Sequence, residues 1–399
     1  MKKVFGFHLT FSRHGKAQTS LLIRISENAG NILLATAAMF FCIIGCSNDT
    51  DNKGQQPDIP ADTTAVAPGN PPYSMEGFAR GADISWITEM EMAGKRFYDK
   101  DGKQRECLEL MRVLGVNSIR LRVWVNPADG FNGKQDVIAK ALRAKALGFR
   151  LMIDFHYSDT WADPGHQNPP AAWADYDLKK MKEALSTHTS DVLGVLKEKG
   201  IDVEWVQVGN ETPDGMLHPI GIVSSSVNGK NSFTNFIQLV NSGYDAVKAV
   251  YPDAKVIVHV DQGQNLGRFT WMFDGLRAGG AKWDIIGMSL YPGNPDGSDW
   301  ETCAASCLEN VRTLAERYGK EVMICEIGMP WDSKYAKQFV SKMLKDGKAI
   351  DKCLGVFYWE PQCYSWKGYT KGAFDLSGKP TSVFDAYREQ ASATTEKQH

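Results

Sequence analysis

From residue 73 onward, short runs rich in β-branched and aromatic residues alternate with longer stretches whose apolar residues recur every three or four positions. Eight such runs stand out: residues 78–83, 118–125, 150–156, 203–208, 255–260, 283–291, 322–327 and 354–359. Their length and composition predict strands. Between them, residues 135–147 place Val137, Ile138, Ala141 and Leu142 on one helical face, and residues 233–250 do the same with Phe236, Ile237, Val240, Tyr244 and Val247. Strand–helix alternation is the pattern of a parallel α/β sheet. Eight units in roughly 320 residues fit one closed (β/α)8 TIM barrel better than an open doubly wound sheet. No Gly-rich fingerprint follows the first run, which argues against a dinucleotide site.

In such a barrel the catalytic side chains stand at the carboxyl ends of the strands, and here nearly every end is polar or aromatic. The ends read Ala82-Asp83, Arg122-Val123-Trp124, Asp154-Phe155-His156, Asn210-Glu211, His259 to Asp261, Ser289-Leu290-Tyr291, Glu326 and Trp359-Glu360. Core filling does not explain the set, because each buried polar group costs a few kcal/mol without a partner. Glu211 closes VQVGNE, and a lone Asn-Glu after a strand often only caps the next helix. The second strand-end carboxylate, Glu326 in VMICEIG, changes the picture. Two glutamates on one rim suit glycoside hydrolysis, which needs a proton donor and a nucleophile or base.

The stretch 156–173, HYSDTWADPGHQNPPAAW, carries two Trp, two His, two Asp and three Pro. Flat rings beside fixed polar groups suit a sugar platform; Trp161 is expected to face substrate, whereas Trp173 fits a packing anchor equally well. No GxSxG elbow competes.

Composition narrows the class further. The 399 residues are 43% hydrophobic and 23% charged, as in an ordinary globular protein. Residues 31–45, NILLATAAMFFCIIG, form an apolar run of signal-peptide length behind Lys2, Lys3, Arg13, Lys16 and Arg24. The run ends at Gly45-Cys46, which resembles a bacterial lipobox; Cys46 would take the lipid. Residues 1–45 are therefore expected to be a signal peptide, 46–72 a lipidated cysteine and flexible tether, 73–392 the barrel domain and 393–399 a disordered tail. Removing residues 1–45 takes away five basic residues and one acid, leaving 40 against 46 and a net charge of −6. Without basic runs, such a chain is a poor nucleic-acid binder, and it is expected to meet the membrane only through its lipid, on the outer membrane or cell surface, and to act as a monomer. Six cysteines remain beyond Cys46; Cys303 and Cys307, four apart, are spaced for a local bridge, and Cys325 inside an apolar strand is expected to be a buried free thiol. No CxxC pair or HExxH appears, so neither metal nor cofactor is implied.

The segments GADISW (81–86), RLRVWVNP (120–127), DFHYSDTWADPGHQ (154–167), VQVGNE (206–211), DIIGMSLYP (284–292) and ICEIG (324–328) resemble the endo-β-1,4-galactanases of glycoside hydrolase family 53. The resemblance implies a retaining endo-enzyme acting on the β-1,4-galactan of pectin side chains. It gives Glu211 as acid/base, Glu326 as nucleophile, Asn210 at the sugar 2-hydroxyl and Arg122 beside the nucleophile. His156, Tyr291 and Trp359 would line the cleaved sugar's subsite. Asp83, Trp124, Trp161, Asp163, His259 and Trp331 complete the expected substrate-binding set. Some family members bind calcium after the strand-seven glutamate, but residues 329–340 here contain one acid, so no calcium is expected. Two alternatives remain open on the residues alone: a retaining barrel enzyme acting on mannan or xylan, and a surface glycan-binding protein on a degenerate barrel.

Overall fold

The computed structural model describes residues 73–224 and 231–395. Eight parallel strands close into a barrel: β1 Ala79–Asp83, β2 Ser118–Val123, β3 Arg150–Phe155, β4 Trp205–Val208, β5 Lys255–Val260, β6 Ile285–Leu290, β7 Glu321–Ile327 and β8 Cys353–Trp359. Each pairs with its sequence neighbour, and β1 pairs with β8 to close the ring. The helices are α1 Ile87–Met92, α2 Cys107–Val113, α3 Lys134–Ala146, α4 Leu178–Glu198, α5 Thr234–Val250, α6 Leu266–Ala278, α7 Trp300–Tyr318, α8 Ala336–Lys348 and α9 Val383–Thr395. Two short hairpins, Phe97–Tyr98 with Gln104–Arg105 and Gly215–Met216 with Gly221–Ile222, decorate the loops. All eight predicted strands form, each end within two residues of the expectation, and the two predicted helices are α3 and α5. The signal peptide, Cys46 and the tether lie outside the described residues. Because α9 continues through Thr395, the tail predicted from residue 393 starts too early.

The barrel is a filled core with two chemically distinct storeys. Its floor is Ala79, Met152, Trp205, Ile257, Ile285, Met323, Cys325 and Phe357, drawn from seven of the eight strands. Trp205 meets Phe357 edge to face at 6.1 Å, and the Arg150 guanidinium covers the Trp205 ring from below at 4.5 Å. Side chains alternate across a strand, so the residues two positions beyond Met152, Trp205 and Ile257 also point inward. They are Asp154, Gln207 and His259, all fully buried. An apolar plug thus supports a polar layer directly above it.

Strand β7 departs from that alternation. Met288 on β6 aligns with Ile324, but the next residue, Ser289, aligns with Glu326, so Cys325 is an extra residue in the ladder. A bulge of this kind re-aims the side chain that follows it. Met323 and Cys325 both join the floor, and Glu326 nevertheless turns into the barrel to meet Arg120.

All six cysteines from Cys107 to Cys363 are free thiols. Cys325 is buried, as expected. The local bridge allowed by the Cys303 and Cys307 spacing does not form: Cys303 contacts the Asp299 carboxylate at 3.2 Å, while Cys307 is buried beneath Gly263.

One helix-to-barrel tie sets the end of β1. Lys140 on α3 is fully buried, and its ammonium donates to Ser85 O at 2.7 Å and Asn132 Oδ1 at 3.1 Å while pairing with Asp136 at 2.8 Å. Ser85 in turn donates to Asp83 at 2.6 Å and accepts from the backbone N–H of Arg122 at 2.9 Å. Lys140→Met takes the cation from the partly buried Asp136 carboxylate and the donor from the Ser85 carbonyl, so we expect a loss of about 3 kcal/mol in stability. Urea titration followed by circular dichroism measures it; an unchanged midpoint would refute the role given to this lysine.

Candidate active site

Above the apolar plug, Arg120 on β2 is the common partner of five side chains from four strand ends. Its Nε donates to Gln207 at 2.7 Å and its Nη1 to Asp83 at 2.7 Å. Nη2 reaches Asn210 Oδ1 at 2.8 Å, Asp154 at 2.9 Å and Glu326 at 3.0 Å. One buried cation therefore faces three carboxylates. Burial alone would raise the Asp154 carboxyl, but Arg120 and then His156 outweigh it and hold it below its ordinary value. The same carboxylates overcome burial to hold Arg120 firmly protonated.

Glu326 uses one oxygen for Arg120 and the other for Tyr291, whose hydroxyl donates at 2.8 Å. Burial pushes the Glu326 carboxyl up to about 7, and Arg120 and Tyr291 pull against that rise. Glu211 has a weaker set of counterweights. Desolvation pushes its carboxyl well above the ordinary value, the charge of Glu326 pushes it further, and Ser289 supplies the first opposing hydrogen bond. Two carboxyls with unequal support ionise in sequence, Glu326 first.

The turn that carries Glu211 is strained. Gly209 has φ +88° and Glu211 itself has φ +42°, a region that residues with a Cβ enter at a cost. The surroundings enforce it. Gln167 Nε2 donates to the carbonyls of Asn210 and Glu211, both at 2.9 Å, and Thr212 N donates to His259 O at 2.8 Å. Asn210 Nδ2 donates to Ala162 O at 2.8 Å. The loop after β3 thereby grips the β4 turn.

A second arginine, Arg122, lies one step higher on β2 and does different work. It pairs with the buried Glu360 at 2.5 Å, and its guanidinium lies 4.4 Å from the Trp161 ring centroid, 5.2 Å from Trp86, 5.5 Å from Trp124 and 5.9 Å from Trp359. Its Nε and Nη2 have no hydrogen-bond acceptor, so the remaining charge is met by indole faces. Glu360 also accepts from Trp86 N at 3.0 Å and from Gln362 at 2.5 Å. Trp161 and Trp359, both half-buried, are 5.8 Å apart, and Trp86 and Tyr369 back them.

The expected site residues divide accordingly. Glu211, Glu326, Asn210, His156, Tyr291, Trp161 and Trp359 gather around the network. The resemblance set Arg122 beside Glu326, and this is corrected: Arg120 holds that place, because Arg122 points one storey higher into the tryptophans. Asp83 and His259 are fully buried, which removes them from direct sugar contact; Asp83 is a partner of Arg120 and Ser85, and His259 of Ser289. Trp124 is buried with its indole N–H donating to His156 Nδ1 at 3.3 Å. Ala162 N donates to the same nitrogen, so His156 Nε2 carries the proton given to Asp154. Asp163 closes a turn in its own loop through Gly165 N and His166. Trp331 is half-buried, its backbone N–H donating to Thr370 O at 3.0 Å. Trp173 is buried against His188, a packing anchor. Arg120, Gln207, Gln167 and Trp86 were missed; inward alternation on β2 and β4 signalled the first two, and nothing local signalled the others. Among the described residues no group of three or more His, Cys, Asp or Glu side chains is arranged to hold a metal ion.

Comparison with known proteins agrees with this geometry. The model of the family described as Glycosyl hydrolase family 53 matches residues 79–348. An arabinogalactan endo-beta-1,4-galactanase of Humicola insolens is 32% identical over 310 residues, spanning 71% of this chain and 89% of that protein. A probable arabinogalactan endo-beta-1,4-galactanase A of Neosartorya fischeri is 31% identical over 308 residues, spanning 71% and 83%. A solved structure from work on two fungal beta-1,4-galactanases superposes with a TM-score of 0.70 at 28% identity, covering 78% of this chain and 99% of that one. The matched span runs from β1 to the end of α8 and contains both glutamates with the loops that set them. The chain belongs to glycosyl hydrolase family 53.

Proposed function

We propose that the protein is a retaining endo-β-1,4-galactanase in which Glu326 is the nucleophile and Glu211 the acid/base. The observation that carries the assignment is the unequal support of the two carboxyls: Glu326 is held by Arg120 and Tyr291, while Glu211 faces desolvation and the charge of Glu326. Ionised Glu326 attacks the anomeric carbon, and protonated Glu211 gives its proton to the departing glycosidic oxygen. Water then returns through Glu211, now a base, and releases the sugar with its configuration retained. Such a double displacement places the carboxyls about 5–5.5 Å apart. Trp161 and Trp359, wedged by Trp86 and Arg122, offer ring faces to the sugar's C–H surface. The names of the Humicola and Neosartorya relatives and the HYSDTWADP segment support galactan as the substrate.

The same proposal extends to location. The apolar run before Gly45-Cys46 and the polar stretch after it support an exported lipoprotein, anchored through Cys46 and displayed as a monomer at the outer membrane or cell surface.

Glu211→Ala is expected to lower galactan turnover by about 10²–10⁴-fold, yet to spare glycosylation by an aryl galactoside with a good leaving group; azide should then give a β-galactosyl azide. Glu326→Ala should abolish turnover of both substrates, with any azide product in the α configuration. Product analysis by chromatography and NMR decides the matter: reversed configurations exchange the roles, and full activity in either variant defeats the mechanism. For the anchor, Cys46→Ala should move the protein from the membrane to the soluble fraction or stall its processing. Identical fractionation of both forms would overturn the lipoprotein reading.

A further inference from the structure

Lys371 is a cation beside the site to which the double displacement gives no part. It stands on the loop that follows β8, and the carbonyls on either side of it are both held. Thr370 O accepts from Trp331 N at 3.0 Å, and Gly372 O accepts from the Tyr358 hydroxyl at 2.8 Å. Lys367, earlier on the same loop, has a plain structural use, pairing with Glu89 at 2.6 Å. Lys371 differs. It is half-buried, and among the described residues its ammonium has neither a carboxylate nor a hydrogen-bond acceptor; it lies instead 5.0 Å from the centroid of the Tyr291 ring. Burial lowers its pKa from the ordinary lysine value, and no neighbouring charge opposes that shift.

A glycine makes that contact possible. Gly328 lies two residues beyond Glu326, and a Cβ there would stand 2.9 Å from Tyr291 Cε1, 2.9 Å from the Tyr369 hydroxyl and 3.3 Å from Lys371 O. With no side chain at 328, the Tyr291 ring and the Lys371 backbone close on the same point. The contacts then run in series: ammonium to ring face, and ring hydroxyl to Glu326 Oε2 at 2.8 Å. A cation is attracted by the π density of a ring, and in a low-dielectric site neighbouring polar groups polarise one another. Density drawn from the phenol makes its O–H a stronger donor. Burial, and after it the charge of Glu326, hold Tyr291 well above the ordinary tyrosine value, so the donor keeps its proton.

We propose that Lys371 is a positioning residue for Glu326, acting through the Tyr291 ring to strengthen the hydrogen bond that the Tyr291 hydroxyl gives the carboxylate. The proposal rests on the reading of Glu326 as nucleophile. Only the ionised carboxyl attacks the anomeric carbon. Burial pushes the Glu326 carboxyl up to about 7, so at neutral pH a substantial part of the enzyme would hold it protonated and inert. A stronger donor to the charged form favours that form and enlarges the active fraction. The other charged or titratable groups around Glu326 are Asp83 on β1, Arg120 on β2, Asp154 on β3, Glu211 after β4 and Tyr369 after β8. Substitution of Lys371 leaves all of them in place.

The test joins the pH profile of galacto-oligosaccharide cleavage to a direct titration of Glu326 by ¹³C carboxyl NMR of the whole protein. The titration is made in a Glu211→Gln background, where the neighbouring carboxyl no longer titrates, and the resonance is identified by its loss in Glu211→Gln/Glu326→Gln. Lys371→Met should raise the Glu326 pKa by about half a unit and carry the acidic limb of kcat/KM upward with it. Lys371→Arg keeps a cation on the ring and should leave both where they are. Added to Tyr291→Phe, Lys371→Met should shift the Glu326 pKa no further, because the hydroxyl that transmits the effect is gone. A Glu326 pKa unmoved by Lys371→Met, an equal shift in Lys371→Arg, or the same shift in the Tyr291→Phe background would overturn the role given to Lys371. A Glu326 pKa that moves while the acidic limb stays fixed would support that role and overturn the nucleophile reading instead.

Discussion

The buried guanidinium of Arg120 is the constraint from which the rest of the site follows. A cation with 1% exposure is stable only if its desolvation is repaid by charge and by hydrogen bonds with good geometry. Here three carboxylates and two amide oxygens supply both. The reverse also holds, since Asp83, Asp154 and Glu326 could not share one barrel mouth as anions without it. Because these partners come from β1, β3, β4 and β7, each strand's height and rotation in the ring is set partly by its distance to one atom group. The catalytic geometry and the closure of the barrel are the same problem at this level.

Arg122, two residues along the same strand, solves a different problem with the same side chain. Its charge is balanced by Glu360 below and by indole faces around it. A planar cation lies against four tryptophan rings at once, 4.4–5.9 Å from their centroids, and so ties their positions to one another. The platform proposed for sugar would thereby be built from rings that are ordered before substrate arrives. Glu360, raised to about 7 by burial against the pull of Arg122, belongs to this support.

Around these two cations the site is arranged in depth. The apolar floor excludes water from below, the Arg120 layer holds charge, the glutamates stand at its upper edge, and the aromatic wall rises on one side. Strain recurs at the strand ends, at Tyr157, Gln262 and Glu360 as well as at the β4 turn, where Glu211 is held at positive φ by Gln167, Thr212 and His259. A residue kept in that conformation cannot relax away from its target during a two-step reaction, which is where such strain is useful.

Much of this was legible in the chain. Short β-rich runs separated by helical faces named the eight strands, and polar ends on nearly all of them located the rim. Glu211 and Glu326 followed as a pair: one glutamate after a strand often only caps a helix, but two on one rim suit glycoside hydrolysis. The two arginines did not follow: Arg120 and Arg122 lie on one strand with the same parity, and periodicity gives the face of a side chain but never its height among neighbours. Nor did parity explain Glu326, since Met323 and Cys325 point inward by alternation and only the bulge at Cys325 turns the next residue inward too. Asp83 and His259 looked like substrate contacts because their types are polar and their places terminal. Burial, however, depends on what the other seven strands put above them. The sequence by itself determined the strands, the rim and the two glutamates, since each is a local pattern of residue type; which arginine meets Glu326, and which polar groups sink beneath the surface, were decided only by the tertiary structure, where register and stagger around a closed ring set the distances on which charge and hydrogen bonding depend.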